Sequence, residues 1–193
     1  LSDLFAKYLV DTNFFLTPYK AYYPMDIVPG FWKKVKELAK RGIIISIDKS
    51  LNELTGKDNN KKIDDALTSW CCENLPKNFF KESDEAIKEY SEIIKWSESQ
   101  HYKRSAIDEF ARYSNADAYD SNADAYDSNA DAYDSNADAF IVAYAKKYNL
   151  TVITEEKSHP ESKARIFIPD VCIAFDVKVM NIIAMFRELR ESF

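Results

Sequence analysis

Three short runs constrain this chain more than any other feature. Tyr8-Leu-Val10, Ile43-Ile-Ile-Ser-Ile47 and Leu150-Thr-Val-Ile-Thr154 are nearly continuous in apolar or β-branched residues and too short to be helices. A strand that does not alternate polar with apolar must be covered on both faces. Sheets of that kind are parallel, and helices carry the chain back from one strand to the next.

The segments between the runs have the spacing such helices need. Pro29-Gly30 opens a helix over Phe31–Lys40, with Trp32, Val35 and Leu38 on one face and Gly42 as its stop. A short helix is predicted around Leu51–Leu54. Ile63, Leu67, Trp70 and Cys71 share a helical face, as do Ile87, Tyr90, Ile94 and Trp96. Asp138 to Tyr148 reads as a helix with Phe140, Ile141, Tyr144 and Ala145 turned inward. Further strands are predicted at Arg165-Ile-Phe-Ile168 and Val177–Met180, and a last helix runs from Ile182 to Glu191. Strands alternating with helices predict one α/β domain over residues 1–193, built on a mainly parallel sheet.

One segment breaks the alternation. Ser114-Asn-Ala-Asp-Ala-Tyr-Asp120 recurs unchanged at 121–127 and 128–134, and a partial fourth copy starts at Ser135. Copies without a single difference point to a recent in-frame duplication, so residues 114–134 read as an inserted array. Ala116, Tyr119, Ala123, Tyr126, Ala130, Tyr133, Ala137 and Phe140 alternate by three and four, a heptad seam that runs in phase into the helix bearing Asp138. The seam predicts an array that is at least partly helical; Asn, Asp and Ser in every copy oppose a helix, and a disordered acidic loop is the alternative. A straight helix of this length would span roughly 31 Å. It cannot fit between two fixed flanks. It must loop out, shift its N-terminal flank, or pass into a second copy of the chain, which would make a homo-oligomer. Each copy offers an equivalent acid, Asp117, Asp124, Asp131 and Asp138; Asp138 is favoured because the apolar Phe140–Ala145 segment fixes it against the sheet.

The formal net charge of −6 looks wrong for a nucleic-acid enzyme. The array alone holds six Asp and no Lys or Arg; without it the acidic and basic residues balance at 26 each. The acidity belongs to the insertion and does not exclude RNA as a substrate. Cys71, Cys72 and Cys172 form no disulfide framework, and His101 and His159 lack zinc-ligand spacing. No apolar run approaches the roughly 20 residues that cross a bilayer. The opening Leu1-Ser-Asp-Leu-Phe5 has neither the basic flank nor the apolar core of a signal peptide. A cytoplasmic address, with no membrane partner, is the expectation.

Ligands of open parallel sheets sit at the carboxyl ends of the strands, and there the sequence places acids. Asp11 ends the first strand, Glu53 follows the second, Asp138 begins a helix, Glu155 and Glu156 leave the 150–154 strand, and Asp170 follows the 165–168 strand. Each has an ordinary explanation alone: a turn, a solvated helix face, a helix cap for Asp138, a Pro-Asp turn for Asp170. As a set they suit a hard divalent cation, which takes oxygen ligands and stabilises charge at a phosphoryl group. Without a cation they would repel one another.

The ordered set Tyr8-Leu-Val-Asp-Thr-Asn13, Glu53, Ala137-Asp-Ala-Phe-Ile-Val-Ala-Tyr-Ala145 and Thr151-Val-Ile-Thr-Glu-Glu156 resembles a PIN domain. Tyr23-Pro, Pro29-Gly-Phe-Trp32, Ile47-Asp48 ahead of Glu53-Leu54, Ile168-Pro-Asp-Val-Cys172 and Met185-Phe-Arg-Glu-Leu-Arg190 are more similar still to a bacterial PIN-like family of unassigned function. The resemblance covers nearly the whole chain except the array. It implies a PIN-like, Rossmann-like three-layer sandwich that cleaves single-stranded RNA with Mg²⁺ or Mn²⁺. By position it implies that Asp11, Glu53, Asp138 and Glu156 hold metal and carry catalysis, with Glu155 the weaker candidate beside Glu156. Asn13 and Thr154 match positions that steady the carboxylates by hydrogen bonding; Asp170 matches the local motif without an assigned role. Many PIN proteins of this size resemble VapC toxins, which implies a cognate antitoxin as partner in a type II toxin-antitoxin system. The competing reading is a catalytically silent PIN fold used for binding or oligomerisation. A haloacid dehalogenase type of phosphatase fits less well, because Asp11-Thr-Asn13 lacks the D-x-D arrangement; a flap-type DNA nuclease would have a similar metal site.

Overall fold

The computed structural model of the protein describes residues 6–56, 65–111 and 137–193. The array at 114–134, its heptad seam before Ala137, and Ile63 lie outside the described residues. Five strands form one sheet: β1 (Tyr8–Val10), β2 (Ile44–Ile47), β3 (Phe80–Lys81), β4 (Thr151–Ile153) and β5 (Val179–Met180). Their order is β3-β2-β1-β4-β5 and every pair is parallel. Tyr8 lies opposite Ile44 on one side and Thr151 on the other, so β1 is central. All its residues are buried, as a non-alternating strand between covered faces must be.

The helices are α1 (Asn13–Thr17), α2 (Pro29–Lys40), α3 (Asp48–Thr55), α4 (Asp65–Asn74), α5 (Ile87–Ser99), α6 (Arg104–Phe110), α7 (Asp138–Tyr148), α8 (Ile168–Ala174) and α9 (Ile182–Leu189). Alternate strand residues feed two cores. Leu9, Ile45 and Val152 pack with α5, α6, α7 and α8. Tyr8, Val10, Ile44 and Ile153 pack with α1, α2, α4 and α9. Helices therefore cover both faces of the sheet, a Rossmann-like sandwich. Among the described residues no helix is long and apolar enough to cross a membrane.

The second core is unusually aromatic. Phe31 on α2 contacts the rings of Phe14, Tyr23, Trp32, Phe186 and Phe193, with centroids 4.7–6.4 Å apart. Gly30 lets the chain end pack closely beside it, since a Cβ there would lie 3.3 Å from the Phe193 backbone. α7 is buried from Ala139 through Ala145, apolar on nearly every side. It is the covered helix that the sheet's other face needs.

The structure corrects one predicted strand. Arg165–Phe167 is irregular and Ile168 begins α8. The free edge of β4 is taken by β5, the Ile168 N–H is held by the Glu156 carboxylate, and Pro169 favours the first turn of a helix. Asp170 thus sits in a helix turn. The sequence did not predict α1, five residues directly after β1, β3, two residues long, or α6, whose Ala106, Ile107 and Phe110 face the core.

Candidate functional site

β1 and β4 are adjacent, and the chain leaves them in opposite directions, to β2 and β3 on one side and to β5 on the other. Loops that part in this way open a crevice at the carboxyl edge of the sheet. Asp11, the first residue beyond β1, sits at that crevice. Its N–H donates to the Ile153 carbonyl at 3.2 Å, and only 2 % of the residue is exposed. Asp11 Oδ1 accepts from the Phe14 N–H at 2.8 Å, and Oδ2 accepts from Thr154 Oγ at 2.6 Å. Thr154 Oγ also accepts from the Glu156 N–H at 3.1 Å, so the loop leaving β4 is wrapped onto the same carboxylate.

Three more acids arrive on separate segments. Glu53, on α3, accepts from the Ala137 N–H at 2.8 Å with Oε1 and from the Thr12 hydroxyl with Oε2. It thereby ties the β1 exit to the cap of α7. Asp138, half-buried, is the first residue of α7. Its helix is pinned two residues on: Phe140 stacks on Tyr90 with centroids 4.2 Å apart, and Lys49 Nζ lies 4.3 Å from the Phe140 ring. Glu156 pairs with Arg165 through Oε1 and accepts the Ile168 N–H at 2.9 Å through Oε2; its side chain is 7 % exposed.

These four charges act on one another. Burial, with Glu156 and Glu53 adding like charge, holds the Asp11 carboxyl up at about 7, although Thr154 and the Phe14 N–H pull it down. Burial and the charges of Glu156, Glu53 and Asp11 raise Asp138 well above the carboxylate range, opposed by Arg165. A recess of ≈ 40 Å³ reaches Asp138 and Arg165, lined on its other side by Ala106, Glu109, Phe110 and Ile166. A larger one of ≈ 320 Å³, between Phe80 and Tyr148, lies toward the opposite edge of the sheet near Ala6 and Leu150. It has none of these acids, so volume alone is a poor guide here.

Among the described residues no three His, Cys, Asp or Glu side chains are drawn together tightly enough to grip a metal ion. The hydrogen bonds explain the spacing: Glu53 and Glu156 each have both oxygens turned to donors in the protein. The donor set nonetheless suits a hard cation in chemistry. It consists of carboxylates alone, two of them raised toward protonation by burial and mutual repulsion, and that is the cost a divalent ion relieves.

The remaining predicted residues fall in distinct places. Thr154 steadies Asp11. The corresponding bond to Glu53 comes from Thr12 rather than its neighbour Asn13, whose side chain makes no hydrogen bond to a described residue. Glu155 accepts the Ile182 N–H at 2.9 Å and serves the start of α9. Asp170 accepts from Ser158 Oγ and from the His159 N–H at 3.0 Å, which anchors the loop after β4 instead of joining the cluster. Arg165 has no sequence signal. It lies in an irregular segment, and only the folded loop brings it to Glu156.

A parallel α/β sheet with acids converging at its switch point defines the class. The chain matches the family described as Domain of unknown function (DUF4411) over residues 8–121 and 120–193. It belongs to that family, and the two matched segments meet inside the repeat array. No curated protein and no solved structure matches it.

Proposed function

We propose that this chain is a divalent-metal-dependent endoribonuclease of the PIN type, acting in the cytoplasm as the toxin of a type II toxin-antitoxin pair. The observation that carries the reading is the convergence of Asp11, Glu53, Asp138 and Glu156, from four chain segments, on the switch-point crevice. Those four would hold Mg²⁺ or Mn²⁺. When bound, such an ion neutralises phosphate charge and acidifies a water molecule. The protein's own groups prepare the place. Thr154 and the Phe14 N–H fix both oxygens of Asp11, Thr12 and the Ala137 N–H orient Glu53, and half-exposed Arg165 offers a positive group to a phosphodiester.

The test is cleavage of single-stranded RNA with Mn²⁺ or Mg²⁺, by the natural chain and by Asp11→Asn. Cleavage that needs both the ion and Asp11 supports the reading; no cleavage with either ion overturns it. The array precedes Asp138 directly in sequence, and we propose that it attenuates activity by displacing that wall of the site. Deleting 114–134 should then raise cleavage, and an unchanged rate rejects attenuation. The hydrogen bonds that occupy Glu53 and Glu156 favour a second reading, a catalytically silent module that binds or oligomerises. Calorimetry with Mn²⁺ separates the two, since a silent module takes up no ion at Asp11.

A further inference from the structure

Between β4 and α8 the chain crosses residues 155–167 without helix or strand, yet it is held at many points. Asp170 takes Ser158 Oγ and the His159 N–H, Glu156 takes Arg165 and the Ile168 N–H, and the Lys103 N–H donates to the Lys163 carbonyl at 2.8 Å. What the loop presents is a set of rings and cations. Exposed His159 lies 4.9 Å from the Phe167 ring, the Arg165 guanidinium lies 4.9 Å from the same ring, and Lys163 Nζ lies 5.0 Å from the Tyr102 ring. A recess of ≈ 500 Å³ opens beside them, lined by Ser158, His159, Pro160, Glu161, Ser162 and Phe167. Residues 157–167 carry Lys157, Lys163 and Arg165 against Glu161, a positive stretch in a chain of net charge −6. The loop begins at Glu156, one of the four acids of the crevice.

Rings backed by cations, next to a site proposed to act on phosphodiesters, match the way single strands are bound: bases stack on aromatic faces while Lys and Arg follow the backbone. We infer that the 157–167 loop is a nucleobase subsite, in which a base of the RNA strand stacks on His159 with Phe167 behind it, while Lys163 and Arg165 meet the flanking phosphates. Asp170 is then a positioning residue, holding the loop in shape. The inference rests on the ribonuclease reading for its substrate, and it is tested by binding rather than turnover.

The probe is a fluorescent decauridylate, and the same strand with abasic riboses, titrated against Asp11→Asn protein so that nothing is cleaved. His159→Ala and Phe167→Leu are each expected to weaken decauridylate binding roughly tenfold and to leave the abasic strand's weaker binding unchanged. Lys163→Ala should weaken both strands alike and lower the salt slope by about one. Far-ultraviolet circular dichroism and Tm identify any variant that loses its fold; exposed His159→Ala then decides. Equal affinity of the His159 variant for decauridylate overturns the subsite, even if the natural chain cleaves RNA. Base-dependent binding without any cleavage upholds the subsite and removes the nuclease. Absence of both binding and cleavage removes both.

Discussion

The carboxyl edge of the sheet and the aromatic clamp around Phe31 adjoin at Phe14, whose N–H binds Asp11 while its ring lies 6.4 Å from that of Phe31, yet they are built in opposite ways. In the clamp, apolar rings fill a closed space, and the charges nearby are paired: half-buried Lys34 with Glu37 and Glu191, exposed Arg41 with the same two acids. At the carboxyl edge, buried Asp11 and the half-buried Glu53, Asp138 and Glu156 repel one another, and the protein's donors only partly offset that repulsion. One region is arranged for stability. The other gives up stability, as the proposed ribonuclease site would.

Substitutions should separate the two. Asp11→Asn should lower RNA cleavage by about 10²–10³-fold, and in metal-free buffer at pH 8 it should raise Tm, because a buried like charge is removed. A fall in Tm would mean that Asp11 is structural in the way Phe31 is. Phe31→Ala should do the reverse, costing about 3–5 kcal/mol of stability by chemical denaturation while the folded fraction keeps its metal affinity. Lost metal affinity would show that the clamp and the site are coupled.

Acidity gives a sharper test. Burial holds the Asp11 carboxyl in the folded protein up at about 7, above its ordinary value of 3.8, so the folded state binds the extra proton between them. Its contribution is therefore full below about 3.8 and lost as pH rises through about 7, with a slope approaching 1.4 kcal/mol per pH unit. Denaturant titrations without metal should show stability falling across that window, and Mn²⁺ should flatten the fall. A flat metal-free profile would place Asp11 in an ordinary polar environment. Thr154→Val, which strips one donor from Asp11, should weaken Mn²⁺ binding by about 10–100-fold in calorimetry. The smallest effect belongs to the clamp's rim: Glu191→Gln should change stability by less than about 1 kcal/mol, since its partners are at least partly solvated. A larger loss would make that ion-pair cluster part of the clamp itself.

How much of this was readable beforehand differs between the two regions. Residues 8–10, 44–47 and 151–153 announce themselves as covered strands because β-branched runs without alternation leave few other options. The helices α2, α5, α7 and α9 follow from spacing in the same way. Acids could be placed at strand ends by counting along the chain, which gave Asp11, Glu53, Asp138, Glu155, Glu156 and Asp170; the narrowing to Asp11, Glu53, Asp138 and Glu156 came from the resemblance to a PIN domain. The 165–168 segment misled because a short apolar run signals burial without saying whether a strand or a helix achieves it.

What the sequence determined by itself is therefore the local grammar: strand, helix, and which acids lie near a strand's end. Only the tertiary structure decided which donors those acids meet. Thr12 rather than Asn13 reaches Glu53, Glu155 turns to α9, Asp170 braces the 157–167 loop, and Arg165 crosses to Glu156. Those choices depend on the strand order β3-β2-β1-β4-β5. Periodicity along a chain carries no information about which segments become neighbours, and a hydrogen bond between residues 143 positions apart, as from Thr154 to Asp11, exists only once the sheet has brought them together.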